Sequence, residues 1–402
     1  MTGLAIRFGT LHDGLGDPKS SGTLIVADGR VAALGGPELP VPGGTRIVEA
    51  ACVVPGLVNA HVHLEMGGEP RTAELFVLTT PTQRAFRCAE HAAQTVRAGV
   101  TTVRDLGSSG ALAIELRDAI AENRLRGPAI VPAGKVICMT GGHGGFVGRE
   151  ADGVADAVLA VREQRRAGAA CIKLIATGGV LTRGAVPGLA QLREDEMRAA
   201  VDEAHRHGMR VAAHAIGAAG IANALRAGVD SIEHGHLIDD AGIALARERD
   251  VPIVPTLSAI RCIVDADEGA GMAAFVLEKA RAIAVDAEAN LRRARAAGVR
   301  FAGGSDAGTP FNGHGEYVRE LELMVEMLGM TPREALAAAT RDAARLLGVG
   351  TGTLGVGDAA DLIVLARDVT ADVRVLRTPQ IVVRSGEILF ESSETTQSVS
   401  AS

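Results

Sequence analysis

Between about residue 56 and residue 348 the sequence repeats one unit, a short apolar run followed by an amphipathic segment rich in Ala, Arg and Glu. Several of these segments end alike, as in Arg97-Ala98-Gly99-Val100 and Arg226-Ala227-Gly228-Val229. A basic last turn, a glycine just after it and a β-branched residue entering a strand are typical of the helix end in a βα unit. Eight such units predict an α/β fold with a (β/α)8 TIM barrel.

The repeat assigns strands and helices along the barrel. Candidate strands lie at 57–62, 100–105, 130–137, 171–175, 210–214, 229–233, 251–256 and 299–304, with helices such as 151–167, 194–207 and 333–347. The alternative is a doubly wound open sheet. The sequence favours it less, because no glycine-rich dinucleotide-binding turn follows the first strand.

The two ends of the chain have a different pattern from the middle. Short apolar runs separated by turns such as Asp28-Gly29 and Ser385-Gly386 predict small antiparallel sheets. We therefore predict a composite β-sandwich from residues 1–55 and 349–391, around a barrel of residues 56–348. Residues 392–402, rich in Ser, Thr and Glu, are predicted to be a disordered tail.

Charge and composition exclude several classes of function. The chain has 41 Lys and Arg against 48 Asp and Glu with no run of like charges, so it shows no footprint for nucleic acid or for an anionic membrane. No apolar run reaches the roughly 18 residues of a membrane span. The five cysteines are scattered without a C-x-x-C pair, which argues against disulfides. We expect a cytoplasmic homo-oligomer that acts on a small molecule.

Two histidines close the first barrel strand. In an extended strand His61 and His63 project to the same side, about 7 Å apart, which suits two ligands of one metal ion. The alternative is a pair of hydrogen-bonded histidines on a half-buried strand. The carboxyl end of a barrel strand is where such a fold places its chemistry.

Four more polar residues lie at or near the ends of other predicted strands. They are Lys173, His214, His234 and Asp306. Taken singly, each histidine could bond to the backbone and Asp306 could cap a helix. A neutral, buried Lys173 can react with carbon dioxide to give a carbamate with two oxygens. Together the six residues predict a site for two divalent ions, expected to be zinc.

Long stretches of the sequence resemble the amidohydrolase superfamily, within it the imidazolonepropionase-like group that includes Xaa-Pro dipeptidases. The resemblance rests on Pro55-Gly56-Leu57-Val58-Asn59-Ala60-His61-Val62-His63, Thr101-Thr102-Val103-Arg104-Asp105, Ile172-Lys173, Ala213-His214-Ala215, Ile232-Glu233-His234-Gly235, Gly304-Ser305-Asp306-Ala307-Gly308-Thr309-Pro310 and the stretch from Gly352 to Leu362. It implies that His61, His63 and Asp306 hold one ion and that His214 and His234 hold the other. It also implies that Lys173 bridges them as a carboxylated lysine.

The predicted function is hydrolysis of a carbon–nitrogen bond, releasing an amino acid from a dipeptide or an N-acyl amino acid. Two ions lower the pKa of a water between them, and Asp306 accepts its proton and later delivers it to the leaving nitrogen. His143, in a glycine-rich loop, is predicted to contact the substrate or the oxyanion. Thr177 and Gly178 are expected to line the same pocket.

One residue departs from the peptidase pattern of the family. Many peptidase members carry Tyr or His two positions after the fifth-strand ligand, where this chain has Ile216. This leaves open a less polar amide, a lactam, a lactone or a carbamate as substrate. Tyr317 either replaces the missing polar group or begins a helix, and Arg104 either orients a charged substrate or forms a structural ion pair.

The sequence disfavours two rival functions, and it leaves several histidines outside the predicted site. A mononuclear deaminase is disfavoured because Lys173 is present and no Glu closely follows His214. A scaffold without catalysis is disfavoured because no expected ligand is missing. The remaining histidines are interpreted as solvated: His12, His91, His205, His207 and His236.

Overall fold

The computed structural model describes residues 3–267 and 269–393. Its strands are β1 Leu4–Leu11, β2 Lys19–Ala27, β3 Arg30–Gly35, β4 Arg46–Pro55, β5 Leu57–Val62, β6 Val100–Asp105, β7 Ala129–Pro132, β8 Val136–Cys138, β9 Gly148–Glu150, β10 Cys171–Ile175, β11 Arg210–Gly217, β12 Ser231–Leu237, β13 Ile253–Val254, β14 Leu362–Leu365, β15 Ile381–Arg384 and β16 Glu387–Glu391.

The α-helices alternate with the middle strands. They are α1 Thr72–Leu78, α2 Pro81–Arg97, α3 Leu112–Ala121, α4 Val154–Ala167, α5 Glu194–Arg206, α6 Ala218–Ala227, α7 Asp240–Glu248, α8 Leu257–Val264, α9 Ala274–Ala296, α10 Val318–Leu328, α11 Pro332–Ala337 and α12 Ala343–Leu347. Within the described ranges, none of them is both long and apolar enough to cross a lipid bilayer.

Strands from both ends of the chain form one seven-stranded sheet, in the order β16-β15-β14-β4-β1-β2-β3. The β2–β3 turn contains Asp28 and Gly29, both with positive φ, as a tight hairpin turn requires. Alternate residues of β1, such as Leu4, Ile6 and Phe8, are buried in a separate apolar cluster. The predicted tail lies outside the described residues from position 394 onward.

The middle strands run parallel in two hydrogen-bonded groups, β5-β6-β7 and β13-β12-β11-β10-β8, with the short β9 beside β8. Backbone bonds link the groups: the amide of Ala170 donates to Pro132, 2.8 Å away. On the other side the amide of Ile253 donates to Arg300 at 2.9 Å and that of Ala60 to Gly303 at 3.0 Å. Segment 300–307 therefore lies between β13 and β5.

Three predicted strands differ from the structure. The segment 130–137 divides into β7 and β8 at Gly134, whose φ is +68°. The segment 251–256 is reduced to Ile253–Val254, because Pro252 and Pro255 offer no N–H to a ladder. The segment 299–304 is irregular, with a bridge at Phe301 and two glycines after it.

The helices agree better with the sequence pattern. Helices α4 and α5 fall within the predicted 151–167 and 194–207, whereas 333–347 divides into α11, a π-turn at Ala338–Asp342 and α12. Each of the predicted glycine stops has positive φ; they are Gly99, Gly168, Gly208, Gly228 and Gly298. The left-handed backbone that ends these helices needs glycine, which explains the recurrent motif.

Candidate metal centre

The six predicted metal ligands line a single cavity at the carboxyl ends of the parallel strands. They are His61, His63, Lys173, His214, His234 and Asp306. All but His63 are buried, and 12% of the His63 side chain is exposed. Their convergence follows from the parallel strands, whose carboxyl ends meet at the same edge.

Asp306 lies at the centre of this cluster. Its Oδ1 is 3.4 Å from His61 Nε2 and 3.2 Å from His63 Nε2, and it is buried without a hydrogen-bond partner. Two ligand atoms at about 2.0–2.1 Å from one tetrahedral ion lie roughly 3.3 Å apart. Possible ligand atoms of His61, His234 and Asp306 all lie within 4.8 Å of one another. The donors fit a divalent cation.

The two histidines of the first strand each have one ring nitrogen against an acceptor. His61 Nδ1 lies 2.9 Å from a carboxylate oxygen of Glu233, and His63 Nδ1 lies 3.3 Å from the carbonyl oxygen of Gly107. Because neither partner can donate, Nδ1 carries the proton of the neutral ring in each histidine, and Nε2 of the neutral ring keeps its lone pair. Both free nitrogens are those nearest Asp306.

The other two histidines follow the same rule. Thr256 donates its hydroxyl to Pro255 at 2.8 Å, so its oxygen accepts from His234 Nδ1 at 2.7 Å. His214 Nε2 donates to the carbonyl of Gly178 at 3.3 Å. The lone pairs left are on His234 Nε2 and His214 Nδ1, and the two ring centroids are 4.5 Å apart. Outer partners that fix the tautomer in this way are typical of metal-ligating histidines.

Glu233 is a site residue that the sequence analysis missed. Its second carboxylate oxygen accepts from Arg104 at 2.7 Å and from Ser231 at 2.6 Å, with the carboxylate fully buried. Burial raises the pKa of Glu233, but Arg104 and His61 outweigh burial and hold it at about 2. Arg104 is thus in a structural ion pair, and Glu233 orients His61 as an ionised acceptor.

Lys173 is buried among these groups, with Nζ 3.3 Å from His61 Nε2. Desolvation lowers its pKa to about 8, although Glu233 and Asp306 oppose the shift. A substantial fraction of the amine is therefore neutral near pH 8. A neutral amine is the form that can react with carbon dioxide.

Backbone strain concentrates at the site. Asp306, His234 and Thr256 have φ of +57°, +75° and +47°, in the left-handed region that non-glycine residues rarely occupy. Such strain is often found at functional sites, where the surrounding structure maintains it. Periodicity in the sequence gives no sign of it.

The predicted substrate residues have different locations. His143 and Ile216 line the cavity, and His143 Nδ1 lies 2.9 Å from the hydroxyl of Thr182. Burial lowers the pKa of His143 to about 4, so its ring is neutral. A side chain at Gly179 would collide with that ring, since its Cβ would be 2.4 Å from Nε2.

The structure places two of the predicted substrate residues, Tyr317 and Thr177, outside the lining of the cavity. The Tyr317 hydroxyl donates to the carbonyl of Val58 at 2.9 Å, and the buried residue precedes helix α10 instead of lining the cavity. The Thr177 hydroxyl donates to Gly178 and accepts the amide of Ile216, so it supports the loop without facing substrate. Gly178 contributes its carbonyl to His214.

Three histidines interpreted as solvated are buried: His12, His91 and His236. Of these, His236 lines the cavity. Its Nε2 donates to Pro255 at 2.8 Å, and its Nδ1 has no hydrogen-bond partner. The available signal is the His-x-His spacing of His234 and His236 near the end of β12, although regular alternation does not apply there because His234 and Gly235 both have positive φ.

Comparison with known proteins gives one consistent result. The profile of the amidohydrolase family matches residues 52–389. An ochratoxinase of Aspergillus niger is 32% identical over 413 aligned positions, covering 94% of this chain and 84% of the relative. A crystal structure of a Xaa-Pro dipeptidase with bound methionine superposes with a TM-score of 0.90 at 32% identity, covering 97% of this chain and 100% of that one. A prolidase complexed with N-methylphosphonate-L-proline has a TM-score of 0.89 at 28% identity, with the same coverage.

Proposed function

The chain belongs to the amidohydrolase family and is a hydrolase of carbon–nitrogen bonds, and we propose that it cleaves an amide bond with two divalent metal ions. One observation carries the proposal. Asp306 Oδ1 is buried without a hydrogen-bond partner between the Nε2 atoms of His61 and His63. A carboxylate oxygen left unpaired in a protein interior is costly unless a cation or a proton meets it.

The proposed ligand sets are those that the resemblance to the amidohydrolase superfamily implies. His61, His63 and Asp306 would hold one ion, His214 and His234 would hold the other, and Lys173, once carboxylated, would contribute to both. The free lone pairs on the histidines support this assignment. When bound, zinc-type ions polarise the scissile carbonyl and lower the pKa of a water.

The chain itself moves the proton. Asp306 accepts a proton from the attacking water and delivers it to the leaving nitrogen, so the carboxylate is regenerated in each cycle. Glu233 keeps His61 in the tautomer that binds the ion. The neutral His143 is positioned to hydrogen-bond the substrate carbonyl or the oxyanion that forms from it.

The proposed scaffold is a (β/α)8 barrel of residues 56–348, with a composite β-sandwich from 1–55 and 349–391. Backbone bonds on both sides of segment 300–307 support a closed ring of parallel strands. The shared seven-stranded sheet supports one terminal β domain. Closure matters for the chemistry, because it brings Asp306 beside the β5 histidines.

The proposed reaction releases an amine, such as an amino acid from a dipeptide or from an N-acyl amino acid. Relatives are described as an ochratoxinase, a Xaa-Pro dipeptidase and a prolidase. Ile216 in the cavity wall favours the less polar members of this range.

Metal analysis and an activity screen test the proposal together. The purified protein is analysed for bound metals, loaded with zinc and screened against dipeptides, N-acyl amino acids, lactams and lactones by release of amine or acid. We expect about two ions per chain and cleavage of an amide that a chelator abolishes. One ion per chain with release of ammonia supports the deaminase, and no ion supports the scaffold.

A further inference from the structure

Two apolar clusters line the cavity, one that includes Val136 and Ile175 and one that includes Ile216. Ile216, Ile260, Ile263 and Ile283 all line the cavity, and each is at most 4% exposed. We name these four residues the isoleucine wall. They belong to one apolar cluster with partly buried neighbours such as Val180 and Leu181, which also line the cavity. The wall therefore offers a substrate dispersion contacts and no hydrogen bond.

The cavity also lacks a cation for a charged substrate group on this side. Among the described residues that line it, Lys173 is the single Lys or Arg, and it lies among the metal ligands. Lys279, on α9, donates to the carbonyls of Thr182 and Ala185 at 2.7 and 2.5 Å. The guanidinium of Arg183 lies 4.8 Å from the ring centroid of Phe275.

Hydrogen bonds connect the helix that carries part of the isoleucine wall to the segment that contains Asp306. Glu320, fully buried, accepts the backbone amides of Leu257 and Ser258 at the start of α8, at 2.9 and 2.7 Å. The Ser258 hydroxyl then donates to the carbonyl of Ser305, which precedes Asp306. Helix α8 carries Ile260 and Ile263, so the wall is held at a set position relative to Asp306.

From this geometry we infer that the substrate is an amide carrying an uncharged, apolar group, aromatic or branched aliphatic, on the side of the scissile bond that packs against the isoleucine wall. The inference rests on the proposed amide hydrolysis and narrows its substrate class. A charged or strongly polar group in this position loses its hydration without gaining a partner. Short polar dipeptides are accordingly poor substrates.

Two pairs of amides that differ only in one substituent, methyl or carboxylate, test the inference. The first pair is the anilide of 4-methylbenzoic acid and that of its 4-carboxy analogue. The second pair carries methyl or carboxylate on the aniline ring of benzanilide. We expect zinc-loaded protein to prefer the methyl compound by at least about tenfold in kcat/KM in at least one pair. If the carboxylates are cleaved equally well in both pairs, the inference is wrong although the proposed function stands.

Binding measurements test the apolar preference separately from the proposed amide hydrolysis. Calorimetry with Asp306→Asn measures the affinity of the same four amides without turnover. Preference for a methyl compound in binding, with no amide cleaved by wild-type protein, contradicts the proposed function and supports only the apolar preference of the isoleucine wall. Equal binding within both pairs contradicts the inference.

A matched pair of variants locates the preference. Ile216→Thr places a hydroxyl in the wall, whereas Ile221→Thr makes the same change at a buried position of α6 away from the cavity. We expect Ile216→Thr to narrow the methyl-to-carboxylate ratio at least about threefold and Ile221→Thr to leave it unchanged. Equal ratios in both variants contradict the role of Ile216, and the wild-type amide pairs still test the wall if either variant fails to fold.

Discussion

The described residues contain two groups of three side chains that could hold a metal ion, and they differ in one respect. In the region of parallel strands the first group is His61, His234 and Asp306, which we call the parallel-strand group, and it includes a buried carboxylate oxygen without a hydrogen-bond partner. In the terminal sheet region the other group is His12, Cys52 and Asp368.

The second group is already satisfied by the protein. Asp368 Oδ1 accepts from the amide and the hydroxyl of Thr370, at 2.7 and 2.6 Å, and lies 3.3 Å from His12 Nε2. Burial raises the pKa of the Cys52 thiol to about 11, which disfavours the thiolate that binds metal. The comparison teaches that unsatisfied atoms beside a cavity, and not ligand types in proximity, distinguish a metal site.

The largest expected effect is at the carboxylate of the parallel-strand group. Asp306→Asn removes the proton acceptor and a charged ligand, so kcat/KM should fall by at least about 1000-fold. Steady-state kinetics with any amide that the wild type cleaves measures the loss. Asp368→Asn is the matched control and should keep the wild-type rate. A near wild-type rate for Asp306→Asn contradicts its role.

Lys173 tests whether a bridging carbamate completes the parallel-strand group. Lys173→Ala should lose metal and at least about 100-fold in activity, because the shared charge between the ions is gone. Acetate or propionate, which can supply two oxygens in the vacated space, should restore at least about tenfold. Lys279→Ala is the control, and added carboxylate should not change it. Full activity of Lys173→Ala without added acid contradicts the bridge.

Glu233 is a further difference between the two groups, since in the described part of the chain we identify no carboxylate with the same role beside His12 in the terminal group. Glu233→Gln replaces the ionised acceptor of His61 and should weaken metal binding by about 10- to 100-fold. Competition with a chromogenic chelator measures the affinity. Glu203→Gln, on α5, removes a buried carboxylate that pairs with Arg162 and should leave the affinity unchanged. Equal affinities in both variants would show that Glu233 has only a structural role.

The Tyr317 hydroxyl is expected to contribute to stability and not to catalysis. Tyr317→Phe removes the hydroxyl donated to Val58 and leaves that buried carbonyl unpaired, so the free energy of unfolding should fall by about 1–3 kcal/mol. We expect kcat/KM to stay within about twofold. Denaturant unfolding and kinetics measure the two quantities. A tenfold loss of kcat/KM at unchanged stability would indicate that Tyr317 contributes to substrate binding.

The smallest effect is expected in the terminal group. The Asp368 side chain is 37% exposed, so Asp368→Asn should change the free energy of unfolding by about 1 kcal/mol or less. The number of metal ions per chain should not change. Loss of one bound ion in this variant would overturn the comparison and make the terminal group a metal site.

Local signals predicted much of the fold. The glycines after the helices, such as Gly168 and Gly228, have the left-handed backbone that their motif requires. Predicted strands 57–62, 100–105 and 171–175 match β5, β6 and β10. The prediction of a strand at 299–304 was wrong, because neighbouring atoms approach Gly303 and Gly304 too closely for either position to carry a side chain. A propensity for strand does not detect such an approach.

Sequence by itself determined which side chains meet at the cavity, since parallel strands that end in His61, His63, Lys173, His214 and His234 bring those side chains to one edge. The tertiary structure alone decided their partners. The Glu233 carboxylate on β12 lies against Nδ1 of His61 on β5. The Tyr317 hydroxyl donates to the carbonyl of Val58 and does not face the cavity. The physical reason is that alternation along a strand fixes the face on which a side chain lies, whereas its partner depends on segments distant in the chain.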